Sequence, residues 1–320
     1  MKINKRAMAT YLDPKYDLTF KRVFGEHKNL CISLINSMLM FEGDHQVVSI
    51  EYQTNELIPE IPALKNSIVD VRCKDLSGRQ FIVEMQMNWT ESFKSRVLFN
   101  ASKAYVVQLD KAQSLELLQP VYSLNFVNDS LDKSSKITGE YYHYYKIVNI
   151  KDTEKQIKGL EFVFIELPTF KPQSRGEKKL HELWLRFLTE INETTTEVPE
   201  ELLANETIRE AMEYTKVAAF TKEQLLAYDQ NKIDVLTARS MLSSAKSEGH
   251  AEGRAEGRAE GRAEGEAERQ KLKADLQAEK EKTVINAFNM GISIENIVIL
   301  TGLNPEQIDE IMNSQIKSAK

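Results

Sequence analysis

Two short runs separated by a turn, Ser67-Ile68-Val69-Asp70-Val71-Arg72-Cys73-Lys74 and Gln80-Phe81-Ile82-Val83-Glu84-Met85-Gln86, constrain this chain more than any other part of it. Each alternates apolar with polar side chains and is rich in β-branched residues, and Asp75-Leu76-Ser77-Gly78 supplies turn chemistry between them. Two antiparallel strands follow. The period of two places Glu84 and Gln86 on one face and Val83 and Met85 on the other. A register closed around Gly78 could bring Asp70 beside Glu84. Two carboxylates held that close repel each other unless a divalent cation lies between them. The same alternation also describes an ordinary half-exposed strand. Against that stands Asp70, whose neighbours Ile68, Val69 and Val71 suggest a central strand, where an acid is costly without a partner. Mg2+ suits such a place, because it takes oxygen ligands, keeps several waters and needs only one or two carboxylates from the protein.

The elements around the hairpin read as a helix from about Asp17 to Met40, a strand near Val47 to Gln53, a helix of about Glu91 to Lys111 and a strand from about Val121 to Val127. Further strands fall at Glu140 to Ile150 and Gly159 to Leu167, and Pro168 and Pro172 mark a boundary. The fold class is α/β, a mixed sheet flanked by helices. Tyr141, Tyr142, Tyr144 and Tyr145 could stack bases, but tyrosine-rich strands more often form half-buried sheet.

Four pieces in this order resemble the recombination-promoting nuclease and transposase group of the PD-(D/E)XK nuclease superfamily. They are Tyr11 to Gly25 (YLDPKYDLTFKRVFG), Val83 to Gln86 (VEMQ), Arg96 to Leu109 (RVLFNASKAYVVQL) and Leu118 to Asn128 (LQPVYSLNFVN). The resemblance runs from Tyr11 to about Asp129 and implies a PD-(D/E)XK-like core. It further implies that Asp70 and Glu84 bind Mg2+, with Mn2+ as a substitute, and that the carbonyl of Met85 completes the protein ligands. Gln86 stands where the motif has lysine. A carboxamide can position by hydrogen bonds but brings no charge, so a slow or dead enzyme is one reading and orientation of the attacking water another. Asp17 is an additional candidate ligand, or else a first-turn acid favourable to its helix. Arg96 and Lys103, seven apart on one side of a helix, could hold the scissile phosphate or the DNA backbone, or be plain surface charge.

The implied function is a metal-dependent DNA endonuclease, a hydrolase of phosphodiester bonds tied by resemblance to recombination. The alternative is a catalytically weak nuclease-fold protein that oligomerises or tethers DNA. With 42 Lys+Arg against 48 Asp+Glu, the net charge of −6 neither supports nor excludes DNA, since a local cleft and a bound metal set the field that a phosphate meets. The histidines His27, His45, His143, His181 and His250 show no zinc spacing. The two cysteines, Cys31 and Cys73, form no paired motif, and a reducing cytoplasm is the default. The amino terminus, with Lys2, Lys5 and Arg6, lacks the apolar run of a signal peptide, and no window approaches the roughly eighteen apolar residues of a membrane span.

Four domains are expected: 1–170 nuclease-like, 171–245 a helical subdomain, 246–282 a repeat rod or linker, and 283–320 a small helical cap. Leu180, Leu183, Trp184, Phe187 and Leu188 make the apolar stripe of the second. The third holds a four-residue repeat from Glu248 to Glu268, with Gly249, Gly253, Gly257, Gly261 and Gly265. Each repeat turns a helix by about 40° past a full turn, so like charges stack at i,i+4, and each glycine costs roughly 1 kcal/mol against alanine. Either this is a solvated spacer, or self-association compensates. In a parallel pair Glu of one chain would face Arg of its mate, which makes a homo-oligomer through residues 248–282 and the cap the expected partner besides DNA. In the cap, Lys317 and Lys320 stand against Glu295, Glu306, Asp309 and Glu310, which suits a protein contact better than a phosphate.

Overall fold

The computed structural model describes residues 10–57, 67–109, 114–131, 137–172 and 180–318. The basic amino-terminal residues Lys2, Lys5 and Arg6 and the helix end expected at Lys111 lie outside the described residues. Among the described residues, no helix is long and apolar enough to cross a membrane. The chain divides into two compact units, Met1–Ser240 and Met241–Lys320.

The first unit is built on a six-stranded mixed sheet. Its strands are β1 (Ile50–Tyr52), β4 (Val71–Asp75), β5 (Gln80–Gln86), β6 (Val121–Val127), β7 (Tyr142–Asn149) and β8 (Asp152–Glu166), and they lie in the order β1-β4-β5-β6-β8-β7. Strands β5, β6 and β8 are parallel, and antiparallel pairings of β4 with β1 and β5, and of β7 with β8, complete the two sides. The β4–β5 turn is the one its residues foretell. Gly78 has φ +85°, and Asp75 Oδ1 accepts from the amides of Ser77 and Arg79. A parallel neighbour needs a crossover, which α3 (Glu91–Val106) supplies between β5 and β6.

Helices cover both faces of the sheet. Phe81, Val83, Leu124, Phe126, Val163 and Ile165 share a cluster with residues of α2 (Lys28–Leu39) and α4 (Leu180–Glu190). Its centre is Trp184, fully buried among Phe24 and Phe187 with its indole N–H on Ser33 Oγ at 3.1 Å. Side chains of this size contribute on the order of 1.5–3 kcal/mol each when withdrawn from water. On the other face Ile82 and Val121 meet Ala101 and Ala104 of α3. Helices α5 (Glu200–Ala204) and α6 (Glu206–Glu213) add Leu202, Ile208, Ala211 and Met212 to the larger cluster.

Three details depart from the periodicity. The single helix expected from Asp17 to Met40 is three pieces: α1 (Asp17–Phe20), a π-helical turn at Lys21–Gly25, and α2 after an extended His27. The strand expected from Ser67 to Lys74 breaks at Val69-Asp70, because β3 (Ser67–Ile68) leaves the sheet to pair with β2 (Glu56–Leu57). Strand β8 begins before Gly159 and forms a long hairpin with β7.

Helix α7 (Lys222–Asn289) is continuous through the glycine repeat over 68 residues. In the second unit, Val284 and Ala287 of α7 bury against Ile297 of α8 (Ile294–Thr301), Leu303 and Ile308 of α9 (Pro305–Ser318). Gly291 and Gly302 take positive φ at the two turns, and Asn304 and Gln307 cap each other at the start of α9.

Candidate active site

The β4–β5 register pairs Val71 with Val83, and Asp70, in the bend just before β4, continues it beside Glu84, whose carboxyl it raises. One step further an unbroken ladder would pair Val69 with Met85, and here the backbone is diverted. The Val69 amide donates to Asn55 O at 3.0 Å, while the Met85 amide donates to Asp70 Oδ2 at 2.7 Å. Asn55 Nδ2 also donates to the Asp70 carbonyl at 2.8 Å. In a strand the N–H and C=O of one residue point to the same side. The Met85 carbonyl therefore faces the Asp70 side of β5, and the amide it would have met there is engaged elsewhere.

Glu84 is 5% exposed. Asn100 of α3 donates to its Oε1 at 3.0 Å, and Arg96 Nη2 lies 3.9 Å from its Oε2. The Glu84 carboxyl is raised to about 7, chiefly by burial; the Asn100 hydrogen bond opposes the rise, Asp70 adds to it and Arg96 lowers it. Asp70 is also raised, first by loss of hydration. The Met85 amide opposes that, nearby Asp17 adds to it, and Lys21 and Arg96 offset part. Asp17 itself is held by Lys21 at 2.6 Å. The structure thus brings Asp70, Glu84, Met85, Asp17 and Arg96 into one neighbourhood.

Two carboxylates that each resist ionisation, with Asp70 raising Glu84 and Asp17 raising Asp70, form a site short of positive charge. Among the described residues no group of three or more His, Cys, Asp and Glu side chains could hold a metal. The donors are instead two carboxylates and a carbonyl, all hard oxygens. Such a set fits an ion that keeps several waters, and Mg2+ is the common one.

Gln86 continues the Glu84 face. Its Oε1 accepts from Arg96 Nη2 at 2.5 Å and its Nε2 donates to Asn88 O at 2.6 Å, so both ends of the carboxamide are engaged by the protein. Arg96 lies over the Phe93 ring at 4.9 Å and its side chain is 49% exposed. Lys103 is not part of this group. Seven residues along α3 carry it about 10 Å further along the helix axis, and its ammonium lies over the Phe99 ring at 5.1 Å.

Asn100 escapes the sequence reading. It is fully buried and follows Phe93 and Val97 along the buried stripe of α3, with Ala101 and Ala104 beyond it. A carboxamide in such a stripe must have a buried partner, and that was the available signal.

The sequence model of the PD-(D/E)XK nuclease family transposases matches residues 14–245. No curated protein matches the chain, and no solved structure does.

Proposed function

This chain belongs to the family of PD-(D/E)XK nuclease transposases, and from that premise we propose that it is a Mg2+-dependent DNA endonuclease. The observation that carries the reading is the buried Glu84 carboxyl raised by its neighbour Asp70, whose carboxylate is fixed on the Met85 amide of β5. In this reading Asp70, Glu84 and Met85 hold Mg2+, or Mn2+ in its place, and Asp17 supports the group electrostatically. The ion, when bound, acidifies water and neutralises charge on phosphate oxygens. Asp70, through the Met85 amide, and Glu84, through Asn100, keep their oxygens fixed rather than free to rotate. Arg96 offers a half-exposed guanidinium to the scissile phosphate, and Lys103 is left to the flanking backbone. Water attacks phosphorus in line and gives up a proton to solvent, the opposite P–O bond breaks, and the leaving oxygen takes a proton from solvent. The cut ends are what recombination requires, which is the link proposed between this activity and the family.

The finding that Gln86 supplies no charge favours a second reading, a weak enzyme that tethers DNA. One experiment separates the two. Purified protein with Mg2+ or Mn2+ should nick supercoiled plasmid, and Asp70→Ala should abolish nicking. A wild-type chain silent with both ions, binding DNA no better than Asp70→Ala, would leave the tethering reading.

Self-association through residues 248–282 and the cap is part of the proposal. Within the repeat every described residue from Gly249 to Glu264 is exposed, so burial against the rest of the chain does not offset its glycines. Cys31 and Cys73 are free, buried thiols, in keeping with the proposed reducing cytoplasm.

A further inference from the structure

We infer that Gln86 serves as a positioning residue for Arg96, and that the two together replace the lysine of the motif. The inference rests on the nuclease reading for its chemistry but on separate contacts for its geometry. With no charge of its own, the carboxamide at position 86 is clamped between two protein groups: its oxygen accepts from the Arg96 guanidinium and one N–H is given to Asn88 O, which fixes its plane.

What the carboxamide does instead is aim a cation. Arg96 projects from α3 one helical turn before Asn100, and three features fix its planar head. Phe93 lies beneath it at 4.9 Å, Gln86 takes one N–H, and the Glu84 carboxylate stands 3.9 Å away. Its charge is not consumed by an intimate ion pair, because 3.9 Å exceeds hydrogen-bond range. About half of the side chain faces solvent. A guanidinium held on two sides and open on a third can present its remaining N–H groups to two phosphate oxygens, which a flexible lysine cannot do.

The sequence substitution then has a physical rationale. A lysine at position 86 beside Arg96 would set two cations against each other, and one would lose its place near Glu84. Glutamine removes the repulsion and supplies an oxygen that accepts from Arg96, which an ammonium cannot do. The positive charge has moved from the strand to the helix, and Gln86 is the residue that steers it.

A rescue experiment tests this. Arg96→Met should lower the plasmid-nicking rate about 100-fold, the scale of losing one charged donor at a reacting oxyanion. Gln86→Ala, which leaves Arg96 in place but unaimed, should lower kcat about tenfold with little change in KM. In Arg96→Met, adding Gln86→Lys should restore at least a tenth of the wild-type rate, because it returns the cation to the strand. A second readout needs no metal and no cleavage. With EDTA present, anisotropy of a labelled DNA duplex should show Arg96→Met binding more weakly, with a log–log salt slope shallower by about one contact, and Gln86→Lys restoring both. Melting temperatures of all variants identify any that fail to fold. If Gln86→Lys restores neither binding nor nicking in a folded Arg96→Met protein, or if Arg96→Met behaves as wild type, the inference is overturned. If wild type never cleaves but the binding rescue holds, the nuclease reading fails and the Gln86–Arg96 pairing stands.

Discussion

Asn100, with no exposed surface, donates its side-chain N–H to Glu84 Oε1 at 3.0 Å across the face between α3 and the sheet. The bond matters most when Glu84 is ionised, because a buried carboxylate without a donor carries a desolvation cost of about 1–3 kcal/mol or more. Asn100→Ala should therefore destabilise the metal-free protein more at pH 8 than at pH 5. Urea denaturation at the two pH values measures the difference. Equal losses would mean that Asn100 only fills space.

Glu84 also sets a pH dependence. Its carboxyl lies at about 7 in the fold against 4.5 when free, so the folded state binds the proton more tightly than the unfolded state does. Metal-free stability on this account is highest below about pH 4.5, falls as pH rises toward 7 and levels above it, a loss of up to about 3 kcal/mol from this group. The raised Asp70 carboxyl acts in the same direction. Glu84→Gln should flatten the decline, seen as a difference between the two proteins' stability curves. Mn2+ should act oppositely, with affinity by calorimetry rising through pH 7 as the proton leaves.

Much of this arrangement is legible in the residues alone. The nearness of Asp70 to Glu84 follows from counting back from the Gly78 turn. What periodicity cannot carry is where backbone groups go once a ladder stops. Val69 turning to Asn55 and Met85 turning to Asp70 depend on β2 and β3, two-residue strands with no pattern to detect. Arg96 and Lys103 lie on the same side of α3 by spacing, and which of them reaches Glu84 is set by where α3 sits along the sheet. Only tertiary packing separates them. Gly159, which reads as the start of a strand, lies inside β8.

Gly159 suits its place because its backbone conformation disfavours any side chain and the Tyr105 ring crowds the position. A Cβ at 159 would sit 3.2 Å from Tyr105 Oη and 3.3 Å from two ring carbons, and its φ of +149° is open to glycine and strained for other residues. Gly159→Ala should cost about 1–3 kcal/mol. In a Tyr105→Ala background the steric part vanishes and the backbone part stays, so the alanine should still be destabilising there, though less. Thermal or urea unfolding of the four proteins in the cycle gives the two parts separately.

The repeat offers a test in which stability and assembly move apart. A Cβ built on Gly253, Gly257 or Gly261 meets nothing within 4 Å, and none of these glycines has a positive φ, so alanine fits all three sites in the single chain. Helix propensity alone should then favour the triple alanine variant by about 1 kcal/mol per site. Close approach of a second helix is another matter, since it depends on the missing side chains. If two copies pack along this stripe, the variant should gain helicity by circular dichroism and lose mass by sedimentation equilibrium. If the segment is a solvated spacer, helicity should rise and mass should not change. A variant that gains helicity and associates more tightly would remove the glycine stripe as the contact, because added methyl groups would then be filling space between the helices rather than holding them apart.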